Sequence, residues 1–152
     1  MSCVVGALVV IVAAVAGAAL WARRRLVLVT VDGSSMEPTL HPGDRVLIHR
    51  RGLARVRRDD VVVLEPPASE GLVRITVAPR ALDGRLWNIK RAVALPGDPV
   101  PPAVRKVVDV DRVPPGALVV LGDNVTSRDS RQCGFFSAND LLGVVVRRVS
   151  RR

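Results

Sequence analysis

LWNIKRAVALPGD, Leu86 to Asp98, reads as a β-strand that ends in a sharp corner. Branched and aromatic residues favour the extended run, Pro96 presets φ, and Gly97 accepts the positive φ that a type II turn requires at its second central position. Period-two alternation puts Leu86, Asn88, Lys90, Ala92 and Ala94 on one face and Trp87, Ile89, Arg91 and Val93 on the other. The second face has the more core-like composition. On that pattern alone Lys90 is an ordinary solvated side chain.

The same Pro-Gly corner recurs at His41-Pro42-Gly43-Asp44 and at Pro115-Gly116, each beside a Val-rich or Ala-rich run. Leu26 to Val31 (LVLVTV) reads as a buried strand, and a second strand begins at Val46. Further short apolar runs (VVVLE, LVRITV, ALVVLG, GVVVRRV) between turn residues predict a mostly antiparallel β domain. Glu65 to Gly71 and Ala78 to Arg85 read as loops. No internal repeat, low-complexity tract or long amphipathic helix stands out.

Cys3 to Ala22 contains no charge and no proline. About twenty helical residues at about 1.5 Å rise cover the roughly 30 Å hydrocarbon core, so the sequence predicts a transmembrane anchor, residues 1–25 with its basic flank. A cleaved signal peptide is the competing reading, but a basic n-region is missing and the apolar run exceeds the usual length. Trp21 suits an interfacial belt, and Arg23-Arg24-Arg25 place the following domain on the cytoplasmic side by the positive-inside rule.

The 152 residues carry a formal charge of +9, and of 23 basic residues only Lys90 and Lys106 are lysine. Tyr is absent and the arginines are not interleaved with aromatics, which argues against nucleic acid; an Arg-rich surface beside anionic lipid accounts for the charge. Cys3 and Cys133 have no metal-ligand spacing, so neither a metal nor a structural disulfide is expected.

Gly33-Ser34-Ser35-Met36-Glu37-Pro38-Thr39-Leu40 is where chemistry enters. Gly33 permits close backbone approach and Pro38 stops a helix, so Ser35 sits on an irregular corner. Read alone, the octet is a loop. Ser35 becomes a nucleophile only if a base can take its proton. His41 lies in a Pro-Gly turn and His49 at an Arg-rich strand end, and both read as surface residues. The nucleophile elbow of the α/β-hydrolases is excluded because position 37 is Glu. Lys90 is the better candidate: a desolvated ammonium can lose its proton near neutrality, whereas a guanidinium cannot. Gly122-Asp123-Asn124-Val125-Thr126-Ser127-Arg128-Asp129-Ser130-Arg131 then reads as a polar loop in which Asp129 and Arg131 can pair.

Taken in order, the anchor, GSSMEPTL, PGDRVLI, KRAVALPGD, GDN and DSR resemble the type I signal peptidase family, membrane-anchored Ser/Lys endopeptidases of bacteria with mitochondrial relatives. The resemblance spans most of the chain. It implies that Ser35 is the nucleophile, Lys90 the general base, Ser127 the hydroxyl that orients the lysine, and Asp129 and Arg131 the pair holding the site. Gly33, Ser34 and Met36 fall in its substrate and oxyanion region. It further implies antiparallel sheets over residues 26–152, no cofactor, and precursor proteins with a cleavable signal or leader peptide as substrates. Two departures stand out. Only Val125 and Thr126 separate Asn124 from Ser127, one residue fewer than usual, which leaves Thr126 and Ser130 as rivals for the orienting hydroxyl. Gly33 stands where some members place a hydroxyl that donates to the oxyanion. General secretion implies an extracytoplasmic domain, opposite to the arginine rule, whereas a dedicated maturation peptidase, as for nickel-type superoxide dismutase precursors, suits the cytoplasmic face. A self-cleaving repressor shares the Gly-x-Ser-Met motif but carries a DNA-binding domain where this chain has its apolar run. A membrane-tethered β module without activity is the non-enzymatic alternative.

Overall fold

The computed structural model describes residues 2–65 and 87–150, with side chains described for a smaller part of the N-terminal helix. The expected strand LVRITV, Leu86, and most of the two loops assigned to 65–71 and 78–85 lie outside the described residues.

Helix α1 spans Ser2–Arg25. Strands β1 (Leu26–Thr30), β2 (Arg45–His49), β3 (Val61–Leu64), β4 (Asn88–Ala94), β5 (Ala117–Leu121), β6 (Phe136–Ser137) and β7 (Leu141–Ser150) follow, with a one-turn helix α2 (Ser130–Cys133) between β5 and β6. The strands form one sheet in the order β1-β2-β7-β3-β4-β5-β6, antiparallel at every pairing and curled into a half-barrel. The mostly β, antiparallel reading therefore holds. Among the described residues no helix is long and apolar enough to cross a membrane. The described α1 side chains from Val10 to Trp21 are exposed and add nothing to the β core.

All three Pro-Gly corners form as the sequence predicts. Gly43, Gly97 and Gly116 have φ of 91°, 86° and 74°. The turn bonds Asp44 N–His41 O, Asp98 N–Leu95 O and Ala117 N–Pro114 O close at 3.1, 2.9 and 3.2 Å. Two corners share a further device. The carboxylate of Asp44 accepts from His41 N at 3.0 Å, and that of Asp98 accepts from Leu95 N at 2.8 Å. Each aspartate then receives an arginine from elsewhere in the chain, Arg148 and Arg58 respectively.

Two readings need correction. The face of β4 carrying Lys90, Ala92 and Ala94 is at least as buried as the one carrying Ile89, Arg91 and Val93. β4 lies inside the sheet between β3 and β5 and is covered on both sides. Trp87 and Ile89 pack with Val29, Met36, Val46 and Ile48, while Ala92 packs with Val62, Leu118, Val120 and Phe136. The short alanines leave room for a layer over that face, which a hydropathy reading scores as weakly apolar. The second correction concerns β1. Among the described strands it lies at the sheet's edge, and with Val29 buried and Leu28 45% exposed it is packed on one face only.

Candidate active site

The Ser35 corner is a loop held at its base and its middle. Val31 N donates to Asp44 O at 2.7 Å and Gly43 N to Val31 O at 2.8 Å, closing residues 31–44 into a pinned excursion from the β1–β2 hairpin. Inside it, Met36 and Leu40 bury their side chains in the core between β1, β2 and β4. Burying side chains of this size contributes about 1.5–3 kcal/mol each, enough to hold an irregular segment that has few ladder bonds of its own. Gly33 has a φ of 93°, Ser34 is exposed and Ser35 is half-buried. Ser35 Oγ lies 3.5 Å from the carbonyl of Ile89, the residue preceding Lys90.

The polar loop after β5 docks onto this corner through its backbone. Asn124 N donates to Ser35 O and Asn124 Nδ2 to Ser34 O, both at 3.1 Å. Asp123 accepts from Arg91 in a two-pronged pair, Nε–Oδ1 at 2.8 Å and Nη2–Oδ2 at 2.6 Å, and also from Thr39 Oγ1 at 2.5 Å. Arg91 first, and Thr39 after it, hold the Asp123 carboxyl below its ordinary range against the opposing effect of burial. Arg91, Asp123 and Thr39 thus fasten β4, the β5 loop and the Ser35 corner together. Arg91 and Asp123 stand in the motifs singled out by sequence, but nothing in the local pattern says that they meet.

Lys90 is 4% exposed, and its Nζ donates to Ser127 Oγ at 2.8 Å. Lys106, the chain's other lysine, is exposed. Thr126 Oγ1 instead donates to Asn124 Oδ1 at 2.9 Å, and Ser130 Oγ accepts from Val120 N at 2.9 Å. Of the three hydroxyls open at the sequence level, it is Ser127 that lies against the amine. A cavity of about 250 Å³ is lined by Gly33, Ser34, Ser35 and Met36 on one side, by Asn88, Ile89 and Lys90 on another, and by Ser127 and Arg128 on a third. His41 and His49 are not among its lining residues. A larger cavity, about 460 Å³, shares Trp87 with it and, among the described residues, brings no serine or lysine to its wall.

Asp129 is fully buried and caps α2. It accepts from Arg131 N at 3.1 Å, while its own backbone N–H donates to Gln132 Oε1, a reciprocal capping box. Its carboxylate also takes Arg131 Nε at 2.9 Å, Arg131 Nη2 at 2.6 Å and Gly122 N at 2.8 Å. Burial pushes the Asp129 carboxyl up, but these donors outweigh it and the net shift is downward. Gly122 is essential to the fit. A Cβ there would lie 2.1 Å from Ser127 Oγ and 2.6 Å from Ser35 O, inside the contact distance of both.

A half-buried serine on a pinned corner and a buried lysine thus share the wall of one cleft. The family model "Signal peptidase, peptidase S26" matches residues 3–108 and 101–150, and the chain belongs to this family of serine peptidases. It is similar to signal peptidase I of Bacillus caldolyticus, 28% identical over 151 residues covering 76% of this chain and 74% of that protein.

Proposed function

We propose that the chain is a membrane-bound serine endopeptidase that removes signal or leader peptides from precursor proteins with a Ser35/Lys90 dyad. The observation that carries this reading is the buried Lys90 amine, 2.8 Å from Ser127 Oγ, on the wall of the same cavity as Ser35. Burial disfavours the charged form of an amine, so a neutral Lys90 can accept the Ser35 proton. Ser35 Oγ attacks the scissile carbonyl, and the Ser35 N–H faces the developing oxyanion. The amine leaves with the proton held by Lys90, and water activated by the same lysine hydrolyses the acyl-enzyme. Ser127 orients the amine, and Asp129 with Arg131 holds the loop that carries Ser127.

The membrane part of the proposal rests on the uncharged run Cys3–Ala22 and on the helical backbone that α1 keeps through it. Substrates are expected to lie extended in the cleft with a small residue such as Ala before the cut. The catalytic domain is assigned to the extracytoplasmic face, and a reporter active on only that side, fused after Arg152, is expected to be active. Neither comparison points to a dedicated maturation substrate or to an inactive module.

The test is cleavage of a precursor with an Ala-x-Ala site by the full chain in detergent. Ser35→Ala is expected to abolish the product. Lys90→Arg is expected to lower the rate by at least about 10²-fold, the range for a lost general base. Survival of cleavage in Lys90→Arg sinks the dyad, because arginine stays protonated at any workable pH.

A further inference from the structure

The 460 Å³ cavity lies where α1 meets the sheet, and it has a different chemistry from the catalytic cleft. Its wall includes Arg25, the last residue of α1, with Arg50, Arg51 and Arg55 from the segment after β2. Arg50 N donates to Arg25 O at 2.7 Å, so the helix end is fastened to the same segment that supplies the other three guanidiniums. Arg58, Arg91, Arg105, Arg131 and Arg148 each sit against an aspartate. Among the described residues none of the four cavity arginines has an ion pair, although Glu65 and Asp140 share the wall. Among the described lining residues, four cations against two carboxylates leave an excess of positive charge around a concave space.

The positive field is felt by a neighbour. Burial first, and then the charges of Arg51, Arg25 and Arg55, hold the His49 imidazole below its usual range, and Arg51 Nε donates to His49 Nδ1 at 2.9 Å. Trp87 on the same wall is buried, and its indole N–H has no hydrogen-bond partner among the described residues. A guanidinium fork matches phosphate oxygens two at a time, and a cavity with several such forks and an apolar wall suits a phosphate joined to an apolar body.

We propose that this cavity is a binding site for the phosphate of an anionic lipid headgroup, held by Arg25, Arg50, Arg51 and Arg55 at the base of α1. The lipid source rests on the reading of α1 as a membrane anchor, because a spanning helix sets its last residue at headgroup depth. A soluble phosphate has the same recognition chemistry, and the experiment separates the two.

Trp21 and Trp87 are the chain's two tryptophans, so the full chain with Trp21→Phe reports from Trp87 alone, which lines both this cavity and the catalytic cleft; the arginine changes below tell the two apart. In neutral-detergent micelles it is titrated with dihexanoyl-phosphatidylglycerol, with dihexanoyl-phosphatidylcholine, and with inorganic phosphate. The expected result is a saturable Trp87 fluorescence change with the phosphatidylglycerol, and at least tenfold weaker responses to the other two. Each basic residue near an anionic headgroup is worth about fivefold in affinity, so the triple change Arg50→Gln, Arg51→Gln, Arg55→Gln is expected to weaken binding by roughly 100-fold. If that variant fails to fold, Arg55→Gln alone, at an exposed position, is expected to weaken it about fivefold. Equal affinity for inorganic phosphate overturns the lipid assignment, and no saturable response to any anion overturns the site. Precursor cleavage and resistance of α1 to alkaline extraction from vesicles are measured on the same samples. Unchanged values alongside lost binding separate failure of this site from failure of the peptidase and anchor readings.

Discussion

At the residue scale the site depends on one missing side chain as much as on those present. Gly122→Ala places a methyl group on Ser127 Oγ and on the Ser35 carbonyl oxygen, and both contacts are too short to survive. Forced overpacking costs about 1–3 kcal/mol, and the atoms that must move belong to Ser127 and to the backbone of Ser35, the proposed nucleophile. We expect a folded variant with a lower melting temperature and a kcat reduced at least about 10²-fold, read by thermal unfolding and precursor cleavage. Ser127→Ala removes one hydrogen bond to Lys90. At about 0.5–1.5 kcal/mol this predicts a kcat loss of up to about tenfold, with KM little changed. The pH–rate profile of that variant is expected to shift along the pH axis, which loss of packing alone does not produce. These roles were unequally legible in the sequence. Alone, the Ser35 octet reads as a loop and Lys90 as a solvated strand residue; the resemblance singles them out, and it gives Ser127 in a motif one residue short. That Gly122 must lack a Cβ depends on two loops meeting in space, which no local pattern records.

At the scale of elements, sequence reading succeeded where structure is local. The Pro-Gly corners appear where expected because the φ preferences of proline and glycine act within four residues. Strand assignments also held for the described runs, since short apolar segments between breakers have few alternatives. The buried face of β4 was misjudged because burial there comes from what β3 and β5 bring alongside, not from β4's own composition. The Arg91–Asp123 pair shows what this hides. It joins the middle of β4 to the loop after β5, and Thr39 ties in the Ser35 corner. Arg91→Lys keeps the charge but loses the two-pronged geometry. Hydrogen bonds to charged groups contribute about 1.5–3 kcal/mol, so the expected loss is about 1–2 kcal/mol by urea unfolding for a partly exposed pair. Cleavage is expected to fall by more than stability does, because the corner carrying Ser35 loosens. Equal activity at equal fold stability speaks against the pair as the clamp between these elements.

At the scale of the whole molecule the charge arrangement makes acid stability a two-stage property. Asp44, Asp98, Asp123 and Asp129 are all held below the ordinary carboxylate value of 3.8 by backbone or arginine donors. The unfolded chain therefore takes up those protons first, so this stability is complete above about pH 4 and is lost as pH falls through the lower folded values. His49 acts in the same direction from a higher starting point. Its imidazole is held below 6.5 by burial and by Arg51, Arg25 and Arg55. Protonation then favours the unfolded chain, and stability declines as soon as pH drops through about 6.5. Urea midpoints measured from pH 8 to pH 3 are expected to fall in two steps, the first below about pH 6.5 and the second below about pH 4. His49→Gln removes only the first step; Asp129→Asn lowers the midpoint at every pH above 4 and flattens the second. An anion seated among the cavity arginines offsets the charges that depress His49, so dihexanoyl-phosphatidylglycerol is expected to shrink the first step and leave the second in place. A first step that persists in His49→Gln, or that the lipid leaves unchanged while it binds, refutes the link between His49 and the arginine cavity.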